Sequence, residues 1–233
     1  MNPKQDKQLI YFSNGKLLEE IPRLTSNENN LRGPASGLEL ASLAFVYRQR
    51  LNGIGSERHN FQTRNLFVVG DAVAVNRDGF QKYILGADAI KNISPESKLD
   101  KGKLVITDED YEALSGKEVL SLTKEEADLL SGKGYVRRKG SDVFVPENDV
   151  VEKVYNHLSR GVVDMADHAS SVLEKLLVVE SVDEKYVDRV MEVDFDYDSR
   201  DLPMIMPLIF DNMSYSSVLN VGGSLERNNM TVA

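Results

Sequence analysis

The chain has 233 residues, 41% of them apolar, and carries 28 Lys and Arg against 37 Asp and Glu, a formal charge of −9. That balance suits a water-soluble protein with one sizeable core or two small ones, and it repels nucleic acid overall. The lack of cysteine excludes disulfides, a thiolate nucleophile and cysteine-based metal centres, and fits a reducing compartment.

No apolar run approaches the roughly 20 residues that span a bilayer. Residues 1–6 lack the apolar stretch of a secretion signal. The expected protein is neither secreted nor partnered with a membrane.

Leu9-Ile10-Tyr11-Phe12 and Leu17-Leu18-Glu19-Glu20-Ile21 flank Asn14-Gly15, a dipeptide that tolerates the positive φ angles of a type I′ turn, and so predict a hairpin closed by Pro22. Residues 25–37 are rich in Asn, Ser and Gly and read as a loop. Ser36 is placed to cap a helix over 37–51 with Leu40, Leu43, Tyr47 and Leu51 on its apolar face. Beyond a polar loop with His59 and Arg64, Leu66-Phe67-Val68-Val69 and Ala72-Val73-Ala74-Val75 have the β-branched density of strands. Asn76-Arg77-Asp78-Gly79 reads as the turn into an antiparallel partner over 80–85, and Gly70 as a bulge. Few apolar groups occur over 92–102, which marks the end of a first lobe, 1–92.

A repeat follows. Thr107-Asp108-Glu109-Asp110 opens a segment ending in Ser115-Gly116-Lys117, and Thr123-Lys124-Glu125-Glu126 opens a similar one, sixteen residues later, ending in Ser131-Gly132-Lys133. Each copy predicts one short helix with a Thr cap, acidic groups at its positive end and a Gly stop. Tyr135-Val136-Arg137-Arg138 and Asp142-Val143-Phe144-Val145 around Lys139-Gly140-Ser141 predict a hairpin stopped by Pro146.

From Asn148 the apolar spacing Val151, Val154, Tyr155, Leu158, Val162, Met165, Ala169, Val172, Leu173, Leu176 predicts a long helix, which Gly161 weakens. A second, acidic helix is expected over 183–192, with Val187, Val190 and Met191 inward. These elements make a second, mainly helical lobe, 103–193. After it comes Leu202-Pro203-Met204-Ile205-Met206-Pro207-Leu208-Ile209-Phe210, strongly apolar but cut by two prolines. Because proline breaks helices and lacks the N–H of an interior strand, 194–233 is expected to be an extended arm.

Candidate chemistry is sparse. His157 and His168 stand about three helical turns apart, too far to share a metal, and His59 is remote. Asp164 and Asp167 beside His168 read as a solvated helix face. The glycines of Asn52-Gly53-Ile54-Gly55-Ser56 follow a helix, whereas a phosphate cradle follows a strand. Val69-Gly70-Asp71 could end a metal-binding strand, and a small metal- or phosphate-dependent enzyme would use Asp71 with His59; the plainer reading is a bulged strand with a surface Asp. The order of two short helices and a hairpin over 108–145 is that of a winged helix, with Arg137, Arg138 and Lys139 as the nucleic-acid contact. Three carboxylates on its recognition helix, Glu125, Glu126 and Asp128, disfavour that alternative.

The sequence therefore predicts an α+β fold: N-terminal β-hairpins with one helix, a middle pair of short helices plus a hairpin, a long C-terminal helix and an extended C-terminal arm. It predicts a non-catalytic assembly protein without cofactor or metal. The expected setting is a homo-oligomer or mixed particle such as a phage or viral virion, or failing that the cytoplasm. The arm residues Leu202, Met204, Ile205, Met206, Leu208, Ile209 and Phe210 would bind other protein subunits.

Overall fold

The computed structural model describes residues 12–16, 66–86, 94, 96–100, 103–131, 133–138, 144–158, 186–195, 202–212, 217–221 and 228–232. Over them the chain is a mostly antiparallel sheet with three short helices. The strands are β1 (Phe12–Lys16), β2 (Leu66–Val75), β3 (Gln81–Ile84), β4 (Leu99–Asp100), β5 (Lys103–Val105), β6 (Val119–Leu122), β7 (Lys133–Arg138), β8 (Phe144–Pro146), β9 (Tyr186–Phe195), β10 (Met204–Asn212), β11 (Ser217–Val221) and β12 (Asn228–Val232). The helices are α1 (Asp108–Ala113), α2 (Lys124–Leu130) and α3 (Asp149–Leu158). Along the sheet the order is β1-β12-β2-β10-β11-β9-β7-β8, with β3 on β2, β6 on β3, β5 on β10 and β4 on β5. Pairs β9–β11 and β2–β12 are parallel.

This overturns the α+β expectation at three places. The apolar C-terminal segment is a central strand, β10, held between β2 and β11. Its prolines are accommodated because Pro203 lies just before the strand and Pro207 sits beside an irregularity. Pro207 pairs with Ala72 and Ile209 with Val68, so Val69, Gly70 and Asp71 stand opposite Leu208 alone. A bulge of this kind is where a ladder can lose the N–H that proline lacks. Gly70 lies in it, at the expected position.

The second correction concerns the acidic helix expected over 183–192, where β9 runs instead, between β7 and β11. Val187, Val190 and Val193 are β-branched, and two neighbouring strands supply the hydrogen bonds that local spacing does not reveal. Third, Asn14-Gly15 makes no turn: β1 runs through it, Asn14 opposite Met230 and Gly15 opposite Asn229. The expected helix over 37–51, and the long helix beyond Leu158, lie outside the described residues.

Local signals fared better. Both Thr caps are present, each in a capping box: Thr107 with Asp110, and Thr123 with Glu126. Gly79 closes the β2–β3 turn at φ +86, with its N–H donating to Asn76 O at 3.1 Å. The β7–β8 hairpin pairs Val136 with Val145 and ends at Pro146. Between α1 and α2 lies a strand, β6, paired with β3.

Ala72 to Val75 are all fully buried, so both faces of the sheet are covered there. One face carries the cluster Ala72, Ala74, Ile84, Ile205 and Tyr111 of α1, edged by Leu99, Leu104, Ile106, Leu114 and Val119. Val73, Tyr83 and Met206 register together on the other face. Helix α3, with Val151, Val154, Tyr155 and Leu158 buried, packs beside α2, β7 and β8.

Candidate functional site

At one end of the sheet, where β5 leads into α1 and the chain enters β10, lies a cleft of about 340 Å³. Its apolar lining is Val105, Ile106, Leu202 and Pro203, and its polar lining is Lys98, Thr107, Asp108, Glu109 and Asp110. The walls are fixed by backbone pairing: Val105 N donates to Lys98 O at 3.0 Å, Ile106 N to Pro203 O at 3.1 Å, and Met204 is registered with Val105. Leu202 is 42% exposed at the lip.

The acidic rim is largely committed. Asp110 Oδ2 accepts from Thr107 N at 3.2 Å and from Thr107 Oγ1 at 2.9 Å, which turns that carboxylate back onto the helix cap. Asp108 Oδ2 accepts from Arg77 Nη2 at 2.6 Å. Two of the three carboxylates on the rim, Asp108 and Asp110, are thus engaged within the chain.

The residues singled out in the sequence are scattered. Met204, Ile205, Met206 and Leu208 lie buried in the chain's own core, Ile209 and Phe210 pair in register with Val68 and Phe67, and Leu202 alone of the set reaches the cleft. Arg137 and Arg138 belong to β7, registered with Asp188 and Tyr186 of β9. Lys139, His59, His168, Asp164, Asp167 and the glycines at 53 and 55 lie outside the described residues.

Asp71 is not a surface group. It is 1% exposed within the β2 bulge, and its Oδ1 accepts from Gly86 N at 2.9 Å. His157 Nε2 lies 3.2 Å from Tyr83 O, where it joins α3 to β3. Among the described residues no group of three or more His, Asp or Glu converges as a metal site would require, and no helix is long and apolar enough to cross a membrane. What the sequence missed is that residues 202–203 meet residues 105–110. No local signal marks that meeting, since it follows from the long-range pairing of β10 with β5.

No protein-family model and no curated protein matches the chain. The chain is similar to a solved structure described as the accommodation of massive sequence variation in Nanoarchaeota by the C-type lectin fold. The likeness covers 99% of this chain and 98% of the other, at 14% identity and a TM-score of 0.53. At that identity it bears on the fold alone.

Proposed function

We propose that the chain is a non-catalytic recognition protein that binds a protein partner through side chains displayed on a fixed sheet scaffold. The observation that carries this reading is the fold likeness, which spans nearly the whole of both chains with about six residues in seven changed. Such a scaffold is held by backbone ladders and a compact apolar core, as at Ala72–Val75 and Met204–Leu208, so surface side chains can be exchanged without loss of the fold. The neighbouring structure is itself described as accommodating sequence variation. Recognition uses that freedom, whereas reaction chemistry needs a fixed constellation of groups.

The expectation of protein partners is kept, but its basis changes. The apolar segment first assigned to neighbouring subunits is engaged in the chain's own sheet, so surface side chains and not an exchanged arm would make the contact.

The test is size fractionation and cross-linking mass spectrometry of the protein in its native source, followed by titration of the purified full chain with the partner found. A saturable, stoichiometric complex is expected, and its size separates a particle, a self-associated oligomer and a simple pair. A chain that migrates alone, with no reproducible cross-linked neighbour, would overturn the reading.

A further inference from the structure

A six-residue helix is far too short to hold itself in water, so α1 persists because other parts of the chain grip it. The grips come from one hairpin, β2–β3. At the first turn Arg77 Nη2 donates to Asp108 Oδ2 at 2.6 Å. At the last turn Lys82 Nζ donates to Leu114 O at 2.9 Å and to Tyr111 O at 2.8 Å, the latter also accepting from Leu114 N at 3.2 Å. The same ammonium lies 4.5 Å from the centroid of the Tyr111 ring, and the Tyr111 hydroxyl donates to Phe80 O at 3.1 Å. Tyr111 is the one buried side chain of α1.

The flanks of α1 are anchored separately. Before it, Ile106 N donates to Pro203 O at 3.1 Å; after it, Leu85 N donates to Glu118 O at 2.9 Å and Val119 pairs with Ile84. Between helix and second anchor stands Gly116 at φ +110, with nothing within 4 Å of where a side chain would begin. Its carbonyl accepts from Val119 N at 3.1 Å, so it stands at the foot of the strap, joined to the second anchor. None of the backbone pairs of β2 with β3 or β10 uses an α1 residue.

We propose that residues 107–116 form a strap that opens as a unit, lifting Tyr111 off the sheet while the strands beneath remain paired. Opening uncovers part of the apolar cluster of Ala72, Ala74, Ile84 and Ile205, on which Leu99, Leu104, Ile106 and Val119 remain packed. Local opening of this kind costs less free energy than global unfolding because the strand ladders stay intact while the side-chain grips and the packing of Tyr111 and Leu114 are given up.

The cysteine-free background makes single thiols clean reporters. Ala72→Cys places one under the strap, and Val73→Cys places one on the other face; both are read by Ellman's-reagent labelling of the full chain under folding conditions. The first thiol is expected to react at least about tenfold faster than the second. Adding Lys82→Met, which keeps an apolar stem and removes both donations to the helix end, should speed the first a further tenfold or so and leave the second unchanged. Equal rates for the two thiols, or equal acceleration of both, would overturn the proposal. Hydrogen exchange of the unsubstituted chain tests it without any variant: amides of 110–114 should exchange well ahead of those at 72–75 and 204–206, and exchange of all three sets together would also overturn it.

Discussion

Lys153 Nζ lies 2.8 Å from Glu126 Oε1, which ties α3 to the first turn of α2. The other carboxylate oxygen, Oε2, accepts from Thr123 N at 2.9 Å, so one side chain serves both as half of a capping box and as a link between helices. The Lys153 hydrogen bond first, then the Thr123 N–H, and further the Lys153 charge, hold the Glu126 carboxyl below the ordinary carboxylate range. A value lower in the folded state than in the unfolded one gives stability that is present above the ordinary carboxylate range and lost as pH falls through the folded value. The urea midpoint should therefore drop on going from pH 7 to pH 3, and drop less in Glu126→Gln. The pair is part-exposed and worth about 0.5 kcal/mol at neutral pH, with the cap adding up to about 1 kcal/mol in Glu126→Ala. Parallel acid loss in the parent and in Glu126→Gln would refute the assignment.

The position of β10 makes a sharper prediction. Met204, Ile205, Met206 and Leu208 are all at most 2% exposed. Burying four such side chains contributes roughly 6 to 12 kcal/mol, comparable with the whole stability of a typical domain. Deletion of 195–233 should therefore abolish the folded state, with loss of dispersed amide signals in a proton–nitrogen correlation spectrum. Met206→Ala alone should cost about 2 to 5 kcal/mol by urea titration. A well-dispersed spectrum from the truncated chain would restore the arm.

How much of this was legible depended on sequence separation. The caps at Thr107 and Thr123, the Asn76–Gly79 turn and the β7–β8 hairpin are each decided within a few residues, and each was readable. Strands β1, β9 and β10 are decided by distant partners: Phe12 pairs with Val232, and Met204 with Val75 and Val105. Local rules then mislead, because Asn14-Gly15 has every feature of a turn and Pro207 every feature of a strand breaker until the opposing bulge is known. The cleft was half legible. Thr107 and Asp110 announce a cap, but nothing near them in the chain announces Leu202 and Pro203.

The β2–β3 turn depends on two residues. Asn76 Oδ1 accepts from Asp78 N at 3.0 Å and from Phe80 N at 2.9 Å, and Gly79 has φ +86. A methyl group at Gly79 would also stand 3.3 Å from the Lys124 Cγ. Gly79→Ala should cost about 1 to 2 kcal/mol and Gly79→Asn less, since Asn tolerates positive φ. Asn76→Ala should cost about 1 kcal/mol or more for two lost acceptor bonds. Thermal unfolding of the three variants checks the order; indifference to Gly79→Ala would mean that the turn is not strained.

Tyr83 is wholly buried, and its hydroxyl donates to Gln81 Oε1 at 3.1 Å, the amide being only 4% exposed itself. Burial pushes the phenol far above its ordinary value near 10, because a phenolate there would have no water around it. A folded value above the unfolded one contributes stability that is complete below the ordinary tyrosine range and declines as pH rises through it. The parent chain should thus lose stability above about pH 10, and Tyr83→Phe should lose less. At neutral pH the same substitution leaves Gln81 Oε1 buried without its donor and should cost about 1 to 3 kcal/mol. Gln81→Leu made together with Tyr83→Phe removes both partners, so the double variant should recover most of that loss. A double-mutant cycle by urea titration gives the coupling directly. If the two substitutions simply add, the hydrogen bond does not operate, whereas the alkaline difference between parent and Tyr83→Phe, which comes from burial, should persist.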